Sequence, residues 1–312
     1  MKYILLVILL YLAQGLSAQN KIDNLKSFEE IQDFVKTIRP AFKFANLNTM
    51  DFTSLDKLLG LPNAANNIIK EYQIDSNYYI RDFNNDGHKD LLIYGFEKHL
   101  TVFVILYENS AYKSYNLFYN ELGENSIFPK VAPNQNLIQL FEIETIGHER
   151  MSNQGKPVKH VLTFHENEFV EYNSNPKDYT IDSIIVSMSC PWWRPYQYNF
   201  RINEHNTIGW EGNKSDEIHL LPHLDNLKWA LIKKRLNYAD FPSIKLPKYM
   251  ISDNITYKIT VFYDNGLIHS INNNHGYVNR SLNLIYKEIM SLKGILDEIL
   301  KEKNKPKLPG LK

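Results

Sequence analysis

The sequence predicts an α+β protein of two domains, each built on antiparallel strands with helices added. Three observations carry that prediction. Helical spacing of apolar residues is confined to a few segments. Between them lie short alternating runs rich in Val, Ile, Tyr and Phe, separated by Gly, Asn or Pro. Midway, Asn173-Ser174-Asn175-Pro176-Lys177-Asp178 strings turn-formers together with no apolar residue between them, which is the composition of a linker. The expected layout is a signal peptide over 1–18, a helix-started β-rich domain over 19–175, an α+β domain over 178–303 and a tail over 304–312.

Taken in order, Lys2 supplies a positive start and Tyr3 to Ala13 an apolar core. Small residues Gly15, Ser17 and Ala18 then offer a cleavage point after Ala18. The apolar run is short for a membrane span, and no cysteine follows it, which excludes a lipoprotein anchor. The expectation is export to a periplasm or beyond, with no membrane span in the mature chain.

Ser27 followed by Glu30 has capping-box spacing, and Phe28, Ile31, Phe34, Val35 and Ile38 form a helical stripe that Pro40 ends. A short helix is expected over 54–59, stopped by Gly60 and Pro62. Strands follow at 78–81, 91–96, 101–107, 112–119, 137–144, 159–165 and 168–172, the last two joined by a turn at Glu166-Asn167. These read as one antiparallel sheet with helices at its start.

Beyond the linker, strands are expected at 181–189, 196–203 and 207–210, then a helix from Pro222 to Leu236 with Leu224, Leu227 and Leu231 on one face. Ile255, Tyr257, Ile259, Val261 and Tyr263 alternate, and Asn265-Gly266 is a strong hairpin signal into 267–271. A last helix starts near Ser281, with Gly294 a point of kinking or breakage. The second domain is thus an antiparallel sheet with two helices on one side.

Composition narrows the function. The chain is 44% hydrophobic and 22% charged, enough apolar content for packed cores. Lys plus Arg equals Asp plus Glu at 35 each, so the net charge that drives phosphate-backbone binding is missing and nucleic acid is a poor partner. The single cysteine, Cys190, cannot form an internal disulfide even in an oxidising compartment.

One motif carries chemistry. Residues 82–90 read D-F-N-N-D-G-H-K-D. Calcium takes several oxygens from a short loop that folds back on itself, with glycine at the sharp turn. Asp82, Asn84 and Asp86 occupy positions one, three and five, Gly87 six, His88 seven through its backbone carbonyl, and Asp90 nine. Position twelve is Ile93 rather than a glutamate and the flanks are strands, so the loop is not an EF-hand. The competing reading is a polar turn without an ion.

The D-x-N-x-D-G-x-x-D spacing followed by L-L-I-Y-G-F resembles the calcium loops of FG-GAP or VCBS-type repeats. Those repeats occur in series and build propellers, whereas only one copy is found here. The stretch 169–296 resembles an exported Bacteroidota-type domain of unknown function. Its segments correspond to F-V-E-Y-N-S-N-P-K-D-Y, S-M-S-C-P-W-W-R-P-Y-Q-Y, Y-A-D-F-P-S-I-K and I-T-V-F-Y-D-N-G. The resemblance implies the architecture and no activity. That domain opens with C-x-G-x-C-P; here Arg194, followed by Pro195, stands where the second cysteine is expected after Cys190, so no cysteine pair carries over.

Other candidates have plainer readings. Trp192, Trp193, Arg194 and Tyr196 have the composition of a binding hot spot, or of a corner packing its rings inward. His219 and His223 stand four apart but straddle Pro222, which argues against zinc. Glu142 and Glu144, with His148 and Glu149 following, fit a solvent-facing strand better than an acid–base pair. Cys190 lacks an identifiable base. The leading expectation is a non-catalytic exported protein, with calcium as a structural ion, that binds a protein or cell-envelope partner. A hydrolase acting on envelope or extracellular polymer and an inhibitor-like module are the alternatives.

Overall fold

A computed structural model of the chain describes residues 20–44, 64–97, 100–117, 126–132, 135–143, 158–190, 196–212, 218–222, 224–244, 256–273 and 279–303. The signal segment 1–18, the helix expected over 54–59 and the tail 304–312 lie outside the described residues. The protein is α+β, and it divides into two compact units, Met1–Phe169 and Val170–Lys312. The division falls just ahead of the 173–178 linker. Glu171 already accepts the Arg280 N–H, and Asn173 already bonds to Tyr238, so both belong to the second unit.

In the first unit a 3₁₀ turn, Lys21–Asn24, leads to α1, Phe28–Ile38. The capping box is formed: the Ser27 hydroxyl accepts from the Glu30 N–H at 3.2 Å and Glu30 Oε2 accepts from the Ser27 N–H at 3.3 Å. Two short elements follow, β1 (Lys43–Phe44) and α2 (Ala64–Glu71). A five-stranded sheet comprises β1, β2 (Tyr78–Arg81), β3 (Asp90–Phe96), β4 (Leu100–Glu108) and β5 (Ala111–Asn116). β1 and β2 share one side of β3, pairing with its two ends, and β4 runs along the other. A four-stranded sheet follows in chain order: β6 (Ser126–Val131), β7 (Ile138–Ile143), β8 (Val158–His165) and β9 (Glu168–Glu171), whose last two residues fall past the division.

The unit therefore has two sheets where the sequence suggests one. Leu91, Ile93, Phe103 and Ile105 join Ile22, Phe34 and Val35 in one core. The neighbouring residues Leu92, Tyr94, Val104 and Leu106 join Phe128, Leu140, Phe141 and Leu162 in another. A strand that is apolar on both faces needs a cover on each, and the four-stranded sheet supplies the second. β6 escapes sequence reading because it contains Pro129. Among the described strands it pairs only with β7, at the edge of the sheet, where a missing N–H is tolerated.

The second unit holds a six-stranded sheet in the order β13-β12-β11-β10-β14-β15. These strands are β10 (Ile181–Cys190), β11 (Tyr196–Asn203), β12 (Thr207–Glu211), β13 (His219–Leu221), β14 (Thr256–Tyr263) and β15 (Leu267–Asn273). The Asn265-Gly266 hairpin forms, with Asp264, Asn265 and Gly266 all at positive φ. One parity of side chains, including Ile184, Val186, Phe200, Ile202, Ile259 and Val261, packs with two helices, α3 (Asn226–Tyr238) and α4 (Arg280–Lys303).

Two expectations about these helices are corrected. α3 begins four residues later than Pro222, because Asp225 caps it by accepting the Lys228 N–H at 2.9 Å. The buried stripe is Trp229, Ile232 and Leu236, the face packed in the sheet's core, and the expected stripe member Leu227 is 83% exposed. α4 runs through Gly294 without a break. Among the described residues no helix is long and apolar enough to cross a membrane.

Candidate metal centre in the β2–β3 connection

Residues 82–89 connect β2 to β3, and the pair Arg81–Asp90 closes the strands around them. The connection reverses twice through the left-handed region, at Asn85 (φ 59°) and Gly87 (φ 87°). Asparagine tolerates that region and glycine enters it without steric cost, which explains glycine at the sixth position.

Side-chain oxygens point inward and hold the turn. Asp82 Oδ1 accepts the Asp86 N–H at 3.1 Å and Oδ2 accepts the Gly87 N–H at 2.9 Å. Asn84 Oδ1 also accepts the Asp86 N–H, at 3.2 Å, while its Nδ2 donates to Asp86 Oδ2 at 2.8 Å. Asp86 Oδ1 accepts the His88 N–H at 2.8 Å. These bonds leave the loop closed on itself. Among the described residues no group of three His, Cys, Asp or Glu side chains is gathered as a metal cage.

Asp90 differs from its neighbours. It is fully buried, Oδ2 accepts the Phe83 N–H at 2.8 Å, and Oδ1 has no hydrogen-bond partner among the described residues. Burial pushes its carboxyl up to about 7; the Phe83 N–H pulls the other way, as does the Tyr107 backbone more weakly. The charges of Asp86 and then Asp82 add to the upward push. A buried carboxylate oxygen without a donor is costly, and this one shares its loop with two further carboxylates.

The exit limb of the loop is held from outside. Asn20 Nδ2 donates to the Lys89 carbonyl at 2.6 Å, and Asp23 Oδ1 accepts the Lys89 N–H at 3.0 Å. His88 Nδ1 lies 3.9 Å from Asp23 Oδ2, and its ring meets Tyr107 edge-on. On the far side Asn136 Nδ2 donates to Asn85 Oδ1 at 2.9 Å. Of the five residues assigned from the sequence, Asp82, Asn84, Asp86 and His88 lie in this connection and Asp90 opens β3 at its exit. Sequence reading missed Asn20 and Asp23, since no local pattern marks a contact made 66 to 69 residues away.

Most of the other candidates fall outside what the structure describes. Trp192, Trp193, Arg194, His223, Glu144, His148 and Glu149 lie outside the described residues, as do the side chains of Tyr196, Cys190 and Glu142. His219 sits on β13 and is buried, so it does not share a helix with His223.

Compared with known proteins, the chain matches no family model, no curated protein and no solved structure.

Proposed function

We propose that this chain is an exported, non-catalytic protein whose first unit is stabilised by calcium at the 82–90 loop and whose second unit binds a cell-envelope or extracellular partner. The observation that carries the calcium reading is the donorless oxygen of buried Asp90 in a connection that also holds Asp82 and Asp86. A divalent cation removes that cost directly, because it is an electrophilic partner for the orphan oxygen and offsets the repulsion among three carboxylates. The donors are all hard oxygens from Asp82, Asn84, Asp86, the His88 carbonyl and Asp90, which is the chemistry calcium selects. Calcium here is structural: it fixes a loop that Asp82, Asn84 and Asp86 already close on itself.

The test is the melting temperature of the purified protein in millimolar calcium and in chelator, beside Asp86→Ala. A site of roughly 10⁻⁴ M affinity contributes about 1–2 kcal/mol under those conditions, a rise on the order of 2–8 °C that the variant loses. Equal melting in calcium and chelator makes the connection an ordinary polar turn.

The binding reading rests on the second unit. The helices α3 and α4 share a core with one face of the sheet, and the opposite parity carries Leu220 on one edge strand and Ile268 on the other, 73% and 62% exposed. Leu220, Ile208, Arg201, Ile185, Thr260 and Ser270 lie in register across that face. A partner bound there is lost when Leu220 and Ile268 are replaced by serine; retention by the double variant in envelope-extract capture sinks this reading.

A further inference from the structure

We infer that the 3₁₀ turn at Lys21–Asn24 is a clamp on the metal loop, so that calcium binding and docking of this N-terminal segment stabilise each other. The inference rests on the calcium reading above and adds a regulating element to that same site.

Lys89 is the residue just before Asp90, the ninth position. Both of its backbone groups are held by side chains of the N-terminal segment: its carbonyl by Asn20 Nδ2 at 2.6 Å and its N–H by Asp23 Oδ1 at 3.0 Å. β2 ends one pair short of Lys89, since its register with β3 stops at Arg81–Asp90. The two side chains therefore supply to Lys89 what a neighbouring strand supplies to the rest of β3. Without them the backbone groups of Lys89, between His88 and Asp90, lose these partners, and the loop's exit limb is held only by the bonds at His88 and Asp90 on either side.

The clamp is itself anchored. Asn20 is 1% exposed, and its Oδ1 accepts the Ile22 N–H at 3.0 Å and lies 3.4 Å from the Tyr112 hydroxyl. The same hydroxyl accepts the Lys21 N–H at 2.7 Å. Ile22 is fully buried in the core that includes Leu91 and Ile93, directly after Asp90 on β3. One short segment thus enters the core beside the loop and ties its exit limb.

Groups that orient metal ligands without touching the metal change affinity about 10–100-fold when removed. Asn20 is neutral and is not a ligand, so its effect on calcium cannot come from lost charge. Linkage then requires the reverse: calcium stabilises the docked turn by the same factor.

The experiment titrates calcium into the purified wild-type protein and Asn20→Ala by calorimetry. It also follows amide hydrogen exchange of wild-type Ile22, Leu25 and Lys89 in calcium and in chelator. The expected results are affinity weaker by about tenfold or more in Asn20→Ala, with exchange at Ile22 and Leu25 slowed by calcium in the wild type. Wild-type binding with equal affinity in Asn20→Ala, or with exchange at Ile22 and Leu25 unchanged by calcium, overturns the clamp and leaves the calcium site standing. Absence of binding by the wild type overturns both. If Asn20→Ala does not fold, the exchange arm on the wild type decides alone.

Discussion

β3 and β10 are both inner strands of antiparallel sheets, yet they are buried in different ways. In β3 the consecutive residues Leu91, Leu92, Ile93 and Tyr94 are all fully buried, alternate ones going to different cores. In β10, from Ile184 onward, the buried residues are Ile184, Val186 and Met188, and Ile185, Ser187 and Ser189 alternate with them and stay partly exposed; nearer its start Ile181 and Ser183 are buried too. The chemistry follows the difference. β3 reads as an unbroken apolar run after one charge, whereas β10 carries serines at 183, 187 and 189 among its apolar residues. A strand with two cores has nowhere to place a polar side chain cheaply, so the single carboxylate at its start stands out as a group needing a partner. A strand with one core can leave its second face for contact with other molecules.

This comparison breaks most sharply in the cores. Leu91→Ala and Leu92→Ala, adjacent in sequence, should each cost the first unit about 2–5 kcal/mol in denaturant unfolding. In the second unit Ile184→Ala should cost as much, while Ile185→Ser should cost less than about 1 kcal/mol. Equal costs at 184 and 185 would mean that the second sheet is also covered on both faces.

A pH series sharpens it next. In chelator, folded Asp90 holds its proton more tightly than the unfolded chain does, with its carboxyl raised from 3.8 to about 7. The native state then binds more protons between those values, so stability falls as pH rises from about 4 to 7, by on the order of 2–4 kcal/mol. Below 4 the contribution is fully present; above 7 it is gone. Asp90→Asn should flatten this slope, and equilibrium unfolding at stepped pH measures it. A slope of the same size in Asp90→Asn would place its origin in another group.

Smaller effects follow at helix ends and on the surface. Ser27→Ala removes one half of the α1 capping box and should cost about 1 kcal/mol. Leu227→Glu, at an exposed position on α3, should change stability by no more than about 0.5 kcal/mol. A large loss at Leu227 would mean that α3 is covered on its outer side.

What the sequence makes legible is set by how local the cause is. The Ser27–Glu30 box, the Glu166-Asn167 turn and the Asn265-Gly266 hairpin are decided within a few residues, and all three form. The positions of the 82–90 loop are likewise written in its own spacing. The start of α3 is not legible, because Pro222 fits a first-turn position while Asp225, three positions on, is the side chain that caps. β6 was hidden because whether Pro129 is tolerated depends on edge position, a property of the finished sheet. The split into two sheets was invisible for a related reason: a continuous apolar strand announces burial on both faces without saying what covers them. Asn20 is the extreme case, a polar residue beside the expected cleavage point whose partner is 69 residues away.

The two-sided burial of β3 also bears on how its pairing is specified. In a strand with one wet face, a slip of one residue drives apolar groups into water, and hydrophobicity alone forbids it. In β3 the same slip exchanges Leu92 and Tyr94 for Leu91 and Ile93 between two dry interiors, which hydrophobicity scarcely distinguishes. The alignment must therefore be read from the ends. Asp90 fits only where the Phe83 N–H meets it. Gly95 fits only where the Lys43 carbonyl and the Phe42 ring come too close for any Cβ. An apolar word with no internal spelling is kept in place by its first and near-last letters.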